Sequence, residues 1–323
     1  MRKLILLLFI PLFFSCNEST KSISEYELIE NWAKIPDDYI FGNPTGFALK
    51  SNQNLVVFHR GSRSWQMPMP KEKIIEDTFI EIDKASGEII KSWGSNLFIM
   101  PHGLEIDKED NIWITDVGLH QVIKYDSNGN ELMVLGQEKK PGKDSLHFNL
   151  PTDIAVSENG SFYVSDGYGN SRIIKFSSEG EYLFEWGVFG ENKNEFNIPH
   201  GLDLDKNGNV YVADRENNKI QKFDSLGNFI TEWKNEMIGQ LYSVNVNNYE
   251  NYLFGIDYIV SKNSAPLGSD IIKFDLDLNF KSKFGRSGNY KGPKARYHDI
   301  PVSYTHLRAH ETVLDLVCRL LLE

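Results

Sequence analysis

Cysteine is nearly absent from this chain. Its 323 residues include only two, Cys16 and Cys318, which give no disulfide framework. Basic charge is also scarce: 34 lysine and arginine residues stand against 45 aspartate and glutamate residues, a net charge of −11. Because binding to a nucleic-acid backbone needs a clustered positive surface, this deficit argues against a nucleic-acid partner. We therefore expect stability to come from packing and closure of the fold, with bound metal as a further source.

Long apolar runs are absent except at the start of the chain. Residues 1–16 read MRKLILLLFIPLFFSC, two basic residues and then an apolar run, which predicts a signal peptide because the run is too short to span a membrane. A small residue followed by Cys16 resembles a bacterial lipoprotein processing site, which implies a lipid on that cysteine; an ordinary cleaved signal peptide is the alternative. Either way we expect an exported protein of the cell envelope, in the periplasm or at the cell surface. Its contact with the membrane would be through the lipid alone, and residues 17–40 would form a tether and a leading strand.

The chain does contain a repeat. The pattern PHGLEIDKEDNIWITD recurs as PTDIAVSENGSFYVSD and again as PHGLDLDKNGNVYVAD. Six units begin at Pro44, Pro101, Pro151, Pro199, near Leu241 and at Tyr297. Within a unit, alternating apolar residues and Asn-Gly or Gly-Asn turns predict four short antiparallel strands. Repeated four-stranded units of this kind, spaced by roughly 50 residues, predict an all-β, six-bladed β-propeller of the NHL type over residues 41–300.

The repeat pattern stops after Ile300. Residues 301–323 lack β-turn chemistry, and their segment VSYTHLRAHET looks like the translation of a sequencing-library adapter. We therefore interpret 301–323 as a non-native tail and leave it out of the fold. On this interpretation the sixth blade is truncated in this chain. We expect the protein to be a monomer.

Three histidines hold the same place in alternate repeats. His102, His200 and His298 each follow the start of their unit, and each is 98 residues from the next. Since the first strand of a propeller blade lines the central channel, these imidazoles should converge on the axis. Three neutral histidines with a fourth position open are typical of a catalytic zinc. The alternative is that each histidine is a repeat-consensus residue bonded to backbone. The intervening units carry Thr45, Thr152 and Tyr242 at this place.

Several segments resemble peptidyl-α-hydroxyglycine α-amidating lyases, the second catalytic half of the peptide-amidating system. They are NLVVFHRG at 54–61, NLFIMPHGLEID at 96–107, ITDVGLHQVIK at 114–124, LPTDIAVSENGSFYVSDGYGNSRI at 150–173, and IPHGLDL with VADRENNKIQKF within 198–223. Together they cover most of residues 44–300. The segments DGYGNSRI and ADREN are specific to this family rather than general to NHL-type propellers. This chain would be a bacterial lipoprotein version of the family.

The resemblance implies a set of site residues. The zinc ligands would be His102, His200 and His298, the catalytic tyrosine Tyr168, and the active-site arginines Arg60 and Arg215. A structural calcium would be held by the carbonyls of Phe47 and Leu104 and the carboxylate of Asp299, which are oxygen ligands of the kind calcium prefers. His59, beside Arg60, should point to the opposite face of its strand and serve structure.

The expected reaction is cleavage of the carbon–nitrogen bond of a peptidyl- or N-acyl-α-hydroxyglycine. The products would be an amide and glyoxylate, and the substrate a small molecule or a peptide with C-terminal α-hydroxyglycine. One alternative is a non-enzymatic NHL-repeat propeller that binds a protein or glycan at the cell envelope. Another is a lactonase-like hydrolase that uses calcium. The bound metal separates the three: zinc for the lyase, calcium alone for the lactonase, and no required metal for the scaffold.

Overall fold

The computed structural model describes residues 32–235, 238–260, 266–285 and 298–300. Over these ranges the strands form five antiparallel sheets of four or five strands, with neighbours in chain order, and one separate two-stranded parallel pair. The first sheet holds β1 (Pro44–Leu49), β2 (Leu55–His59), β3 (Phe79–Ile82) and β4 (Ile89–Trp93). The second holds β5 (Pro101–Ile106), β6 (Ile112–Asp116), β7 (Gln121–Tyr125) and β8 (Glu131–Leu135). The third is β9 (Asp153–Val156), β10 (Phe162–Asp166), β11 (Arg172–Phe176), β12 (Tyr182–Trp186).

The remaining strands form the fourth and fifth sheets and a short parallel pair that lies in the chain between the third and fourth sheets. A parallel pair, β13 (Val188–Phe189) and β14 (Glu195–Phe196), precedes the fourth sheet of β15 (Pro199–Leu204), β16 (Val210–Asp214), β17 (Lys219–Phe223), β18 (Phe229–Lys234). The fifth sheet holds β19 (Gln240–Asn247), β20 (Tyr252–Val260), β22 (Asp270–Asp275) and β23 (Phe280–Gly285), with β21 (Pro266–Gly268) paired to β20. The helical content of the described ranges is one 3-10 turn, η1 (Arg215–Asn217).

The sheets are the blades of a propeller. Neighbouring sheets contact one another through their first strands: β1 lies against β5, β5 against β9, β9 against β15, and β15 against β19. The first strands therefore line the central channel, as expected from the repeat. Alternating apolar side chains from facing sheets fill the space between blades, for example Tyr163, Leu202 and Val212 between the third and fourth.

The prediction of six blades is wrong for the described residues, which form five. Of the sixth unit only His298–Ile300 is described, and these three residues include no strand. The sixth unit was counted from its start at Tyr297, and the residues after Ile300 lie outside the described ranges. Ile300 is nevertheless fully buried in one core cluster with Phe47 of the first blade and Ile256 of the fifth.

The predicted chain ends lie mostly outside the described residues. This holds for the signal peptide 1–16 with Cys16, for most of the tether 17–40, and for the tail 301–323. The described part of the tether, from Trp32, forms no regular strand but runs beside the first blade, where Lys34 makes a β-bridge with Glu88. No helix within the described ranges is long and apolar enough to cross a membrane.

Candidate metal centre and active site

A β-bulge lies at the position that the repeats share. In the pairing of β15 with β16, Pro199 faces Asp214 and Gly201 faces Ala213, so His200 is the extra residue. The same irregularity occurs in β1, β5 and β19, around Thr45, His102 and Tyr242, whereas β9 pairs with β10 in regular register. A bulge bends its strand and changes where a side chain points. In this fold it brings the histidine side chains to the channel.

A glycine follows three of the bulged residues, Thr45, His102 and His200. A Cβ atom on Gly103 would lie 2.6 Å from Asp153 Oδ1 and 2.8 Å from Asp153 Cα. One on Gly46 would lie 2.5 Å from Leu104 Cβ. Contacts this short are not available to a real side chain, so the narrow channel depends on glycine at these positions.

The three predicted histidines converge. Their ligand atoms all lie within 4.8 Å of one another, and all three residues are buried. The ring of His102 is 4.7 Å from those of both His200 and His298, measured between centroids. They line one cavity together with Asp153 on β9 and Asp299, which directly follows His298.

Each histidine bonds to the backbone of the next unit through Nδ1. His102 Nδ1 is 2.6 Å from the carbonyl oxygen of Thr152, and His200 Nδ1 is 2.7 Å from that of Tyr242. His298 completes the pattern with the carbonyl oxygen of Thr45 at 2.8 Å. Because a carbonyl oxygen can only accept, each Nδ1 must carry the proton. A neutral imidazole so held directs an unprotonated Nε2 toward its partners, the arrangement found around metal-bound histidines.

The protonation of His200 fits this arrangement. The pKa of His200 lies well below its usual range. Burial is the main cause, and the charges of His102, Arg215 and His298 lower it further. A neutral imidazole is the form that ligates a metal. The sequence left two alternatives for these histidines, bonding to backbone and binding a metal. The two roles are compatible, because Nδ1 of each ring bonds to a carbonyl oxygen and Nε2 can bind a metal.

Tyr168 reaches the same centre from the third blade. Its hydroxyl oxygen lies 2.8 Å from His200 Nε2 and 3.1 Å from His102 Nε2. Arg215 Nη1 donates to this oxygen at 3.3 Å. Burial raises the pKa of Tyr168, while the nearby charges of Arg215 and Arg60 oppose that rise.

Arg60 lies beside an aromatic residue that sequence reasoning missed. Its Nε donates to the carbonyl oxygen of Pro101 at 3.1 Å, and its guanidinium carbon is 5.3 Å from the centre of the Trp65 ring. That indole also packs on Tyr168, with ring centroids 4.8 Å apart. Trp65 belongs to the irregular insertion after β2, where no repeat pattern marks a functional residue.

The residues proposed for calcium lie in a layer next to the histidines: Phe47 on β1, Leu104 on β5, and Asp299 directly after His298. Phe47 N donates to Asp299 Oδ2 at 2.9 Å, and Ser243 Oγ donates to Asp299 Oδ1 at 2.7 Å. Phe47 and Leu104 are buried on the adjacent strands β1 and β5. The structure therefore brings Asp299 to Phe47, and Phe47 lies on the strand next to that of Leu104.

Further carboxylates in this layer were missed from the sequence: Glu105, Asp153 and Asp203. The pKa of Glu105 is raised well above its usual range. Burial is the main cause, and the negative charges of Asp203, Asp153 and Asp299 raise it further. Withdrawal from solvent also raises the pKa of Asp203 to about 7, despite backbone hydrogen bonds that lower it. Mutual repulsion of this kind is relieved by protons or by a cation.

The fold and its repeats resemble those of known proteins. The family model of the NHL repeat matches residues 148–176 and 196–223. A crystal structure of catalytically inactive virginiamycin B lyase from Staphylococcus aureus is similar, with a TM-score of 0.54 at 17% identity, covering 82% of this chain and 75% of that one. Hydrazine synthase of Kuenenia stuttgartiensis gives a TM-score of 0.55 at 10% identity, covering 84% of this chain and 73% of its own. At such identities the likeness concerns the fold alone. Fold and site together define an NHL-repeat propeller with a three-histidine centre.

Sequence relatives are more specific. A probable peptidyl-α-hydroxyglycine α-amidating lyase of Caenorhabditis elegans is 34% identical over 265 residues, which cover 76% of this chain and 74% of the relative. Lyase 1 of Drosophila melanogaster is 34% identical over 84% of this chain and 57% of its own length. The peptidylglycine α-amidating monooxygenase of Rattus norvegicus is 41% identical over 66% of this chain, a match that spans only 24% of that longer protein. The chain belongs to the peptidyl-α-hydroxyglycine α-amidating lyase family, whose members are carbon–nitrogen lyases.

Proposed function

We propose that this protein is a zinc-dependent lyase that cleaves the carbon–nitrogen bond of a peptidyl- or N-acyl-α-hydroxyglycine. The products are an amide and glyoxylate. The observation that carries the proposal is the position of the Tyr168 hydroxyl, within hydrogen-bond distance of two histidine Nε2 atoms and of Arg215. Membership of the lyase family supports the reaction type.

The histidine set fits zinc. His102, His200 and His298 each use Nδ1 on a carbonyl oxygen and keep Nε2 for a ligand, and three such nitrogens leave a coordination position for substrate. Zinc held there would bind the hydroxyl oxygen of the substrate and lower its pKa.

Tyr168 acts as the proton carrier in this proposal. As a phenolate it takes the proton of the substrate hydroxyl. The electron pair of the broken O–H bond forms the carbonyl of glyoxylate, and the C–N pair leaves with nitrogen. Tyr168 then returns the proton to nitrogen, which completes the amide without any change in oxidation state. The charges of Arg215 and Arg60 favour the phenolate against the effect of burial.

Arg60 and Arg215 also suit the substrate carboxylate. A guanidinium offers a planar set of donors that matches a carboxylate and remains protonated at any working pH. Arg60 is almost fully buried at 3% exposure, and its stacking on Trp65 restricts its orientation. The two arginines would hold the carboxylate while the hydroxyl faces the metal and Tyr168.

We also propose calcium in the layer of carboxylates next to the histidines. The carboxylate of Asp299 and the carbonyls of Phe47 and Leu104 would be ligands, and Glu105, Asp153 and Asp203 would add negative charge around the ion. The raised pKa values of these carboxyl groups support the idea, because a divalent cation would replace their mutual repulsion with attraction.

The test is glyoxylate release from a synthetic peptidyl-α-hydroxyglycine. We expect release that is abolished by a zinc chelator, restored by added zinc, and reduced at least about 100-fold in Tyr168→Phe. The matched control is Tyr182→Phe, since that tyrosine is exposed on the outer strand β12 of the same blade. No release from folded, zinc-loaded protein would reject this substrate. No release together with no bound zinc would leave a binding propeller.

A further inference from the structure

The Arg215 side chain is held from several directions. Its guanidinium carbon lies 5.2 Å from the ring centre of Tyr168 and 5.2 Å from that of Tyr242. Its Nε and Nη2 atoms pair with Glu216 Oε1 at 3.0 Å and 2.8 Å, which leaves Nη1 directed at the Tyr168 hydroxyl. The guanidinium is therefore fixed both between two rings and within its own plane.

The carboxylate that pairs with Arg215 is itself fixed. Gln240 Nε2 donates to both oxygens of Glu216, at 2.9 Å and 2.8 Å. The other end of this amide, Gln240 Oε1, accepts from the Tyr242 hydroxyl at 3.3 Å. Since the carboxylate can only accept and the hydroxyl donates, this orientation of the amide satisfies both contacts. The contacts form a closed ring of Arg215, Glu216, Gln240 and Tyr242.

This ring joins two blades and reaches the metal centre. Arg215 and Glu216 lie in η1 of the fourth blade, whereas Gln240 and Tyr242 lie at the start of β19 in the fifth. The carbonyl of Tyr242 accepts from His200 Nδ1 at 2.7 Å, and its ring is 4.9 Å from that imidazole. The same residue thus helps to orient a histidine through its backbone and Arg215 through its side chain.

We infer that Glu216, Gln240 and Tyr242 are positioning residues that hold the Arg215 guanidinium against the Tyr168 hydroxyl. An arginine side chain has several rotatable bonds, and fixing them beforehand removes an entropic cost from the reaction. None of the three need touch the substrate to act in this way. The inference rests on the proposed function, because it assigns these residues to the lyase reaction.

The experiment compares single and double variants. Glu216→Ala removes the carboxylate, Gln240→Leu removes the amide at similar size, and Tyr242→Phe removes only the hydroxyl. The matched control is Glu232→Ala on β18 of the same blade. Glu232 is 30% exposed and pairs with Lys219, whereas Glu216 is 29% exposed and pairs with Arg215.

We expect Glu216→Ala to lower kcat/KM for glyoxylate release by about 10- to 100-fold, and the control to lower it much less. In an Arg215→Ala background, Glu216→Ala should have no further effect, because there is no guanidinium left to position. Equal losses in the control, or losses that multiply in the double variant, would overturn the inference.

A second measurement does not depend on activity. The Nε–H proton of Arg215 should give a slowly exchanging signal in nitrogen-15 NMR spectra, assigned through Arg215→Lys. We expect Glu216→Ala and Gln240→Leu to broaden or lose this signal while Glu232→Ala keeps it. A signal that stays unchanged in Glu216→Ala and Gln240→Leu would reject the positioning of Arg215 by these residues, even in an active enzyme. A wild-type protein that gives this signal but releases no glyoxylate would reject the proposed function and leave the positioning of Arg215 intact as structure.

Discussion

At the scale of single residues, the candidate metal centre depends on glycines that follow the bulged residues Thr45, His102 and His200. Gly103 lies between His102 and the strand that carries Asp153, with no room for a methyl group. The absence of a side chain lets two inner strands approach closely. Any added atom must separate them and displace the histidine beside it.

We predict that Gly103→Ala destabilises the fold by about 1–3 kcal/mol and weakens zinc binding. A Cβ atom there would lie 2.6 Å from Asp153 Oδ1, closer than packing allows. Gly255→Ala is the matched control, since its Cβ would meet its nearest neighbour, Ile220 Cδ1, at an ordinary 3.5 Å. Urea unfolding and zinc content measure the two effects. Equal behaviour of the two variants would contradict this account of the channel.

His59 is the residue from which a pH dependence of stability follows. It is fully buried, its Nδ1 accepts from Gly61 N at 3.1 Å, and its Nε2 lies 3.4 Å from the Tyr39 hydroxyl. Burial lowers the pKa of His59 to about 4, although Asp77 and Glu76 act in the opposite direction. The folded protein thus keeps this imidazole neutral under conditions where the unfolded chain protonates it.

We predict that the contribution of His59 to the free energy of unfolding falls as the pH drops from about 6.5 to about 4. Between these values the unfolded state binds the proton and the folded state does not, so acid favours unfolding, by about 3 kcal/mol at the lower limit. The measurement is urea unfolding across this range for the wild type and His59→Gln. The difference in unfolding free energy between wild type and variant should fall with pH across this range, and parallel curves would show that His59 contributes no pH dependence.

At the scale of elements, buried cations hold the loops that connect blades. Arg172 on β11 is fully buried, and its Nε donates to Asp166 Oδ2 at 3.0 Å. The same guanidinium donates to the carbonyl oxygens of Lys143 and His147, both at 2.9 Å. One side chain therefore ties the loop 136–150 to its blade, next to Tyr168.

We predict that Arg172→Met lowers the free energy of unfolding by about 3–5 kcal/mol, because it leaves Asp166 buried without its cation. Lys108→Met is the comparison, since Lys108 is 64% exposed. Chemical denaturation measures the difference, and limited proteolysis should show earlier cleavage within 136–150 in the Arg172 variant. A small, equal effect of both changes would contradict the anchoring role.

The strands and their order could be predicted from alternation and turn residues, but the bulges could not. In a regular strand His102 and Glu105 would point to opposite faces, since they are three positions apart. The bulge shifts this register, so both side chains reach the channel. Its cause lies in contacts between blades, such as the bond from His102 to Thr152, which no single repeat reveals. For that reason the carboxylates Glu105 and Asp203 were missed.

At the scale of the whole molecule, the repeat period places the site. Because the histidine units alternate with units that carry Thr45, Thr152 and Tyr242, each imidazole meets a carbonyl from the following unit. The spacing of 98 residues predicted the convergence of the histidines correctly. The number of blades was wrong, because counting the starts of repeats assigns a full sheet to a unit whose pattern ends at Ile300.

The proposed location of the molecule can be tested separately. We expect an exported protein with a lipid on Cys16, which follows a short apolar run and a serine. In a bacterial host, labelled palmitate should enter the wild type, and the protein should sediment with membranes. Cys16→Ser should take up no label and appear in the soluble fraction. Unlabelled wild type that is nevertheless exported would support an ordinary cleaved signal peptide.

The zinc content of purified protein, measured beside glyoxylate release, tests whether the three histidines form a catalytic metal centre. We predict about one zinc per chain in the wild type. We predict loss of both zinc and release in His200→Ala, and in Tyr168→Phe a loss of release with zinc retained. Folded His200→Ala that keeps its zinc, or wild type that releases glyoxylate with no zinc bound, would contradict the assignment of these histidines as a metal centre.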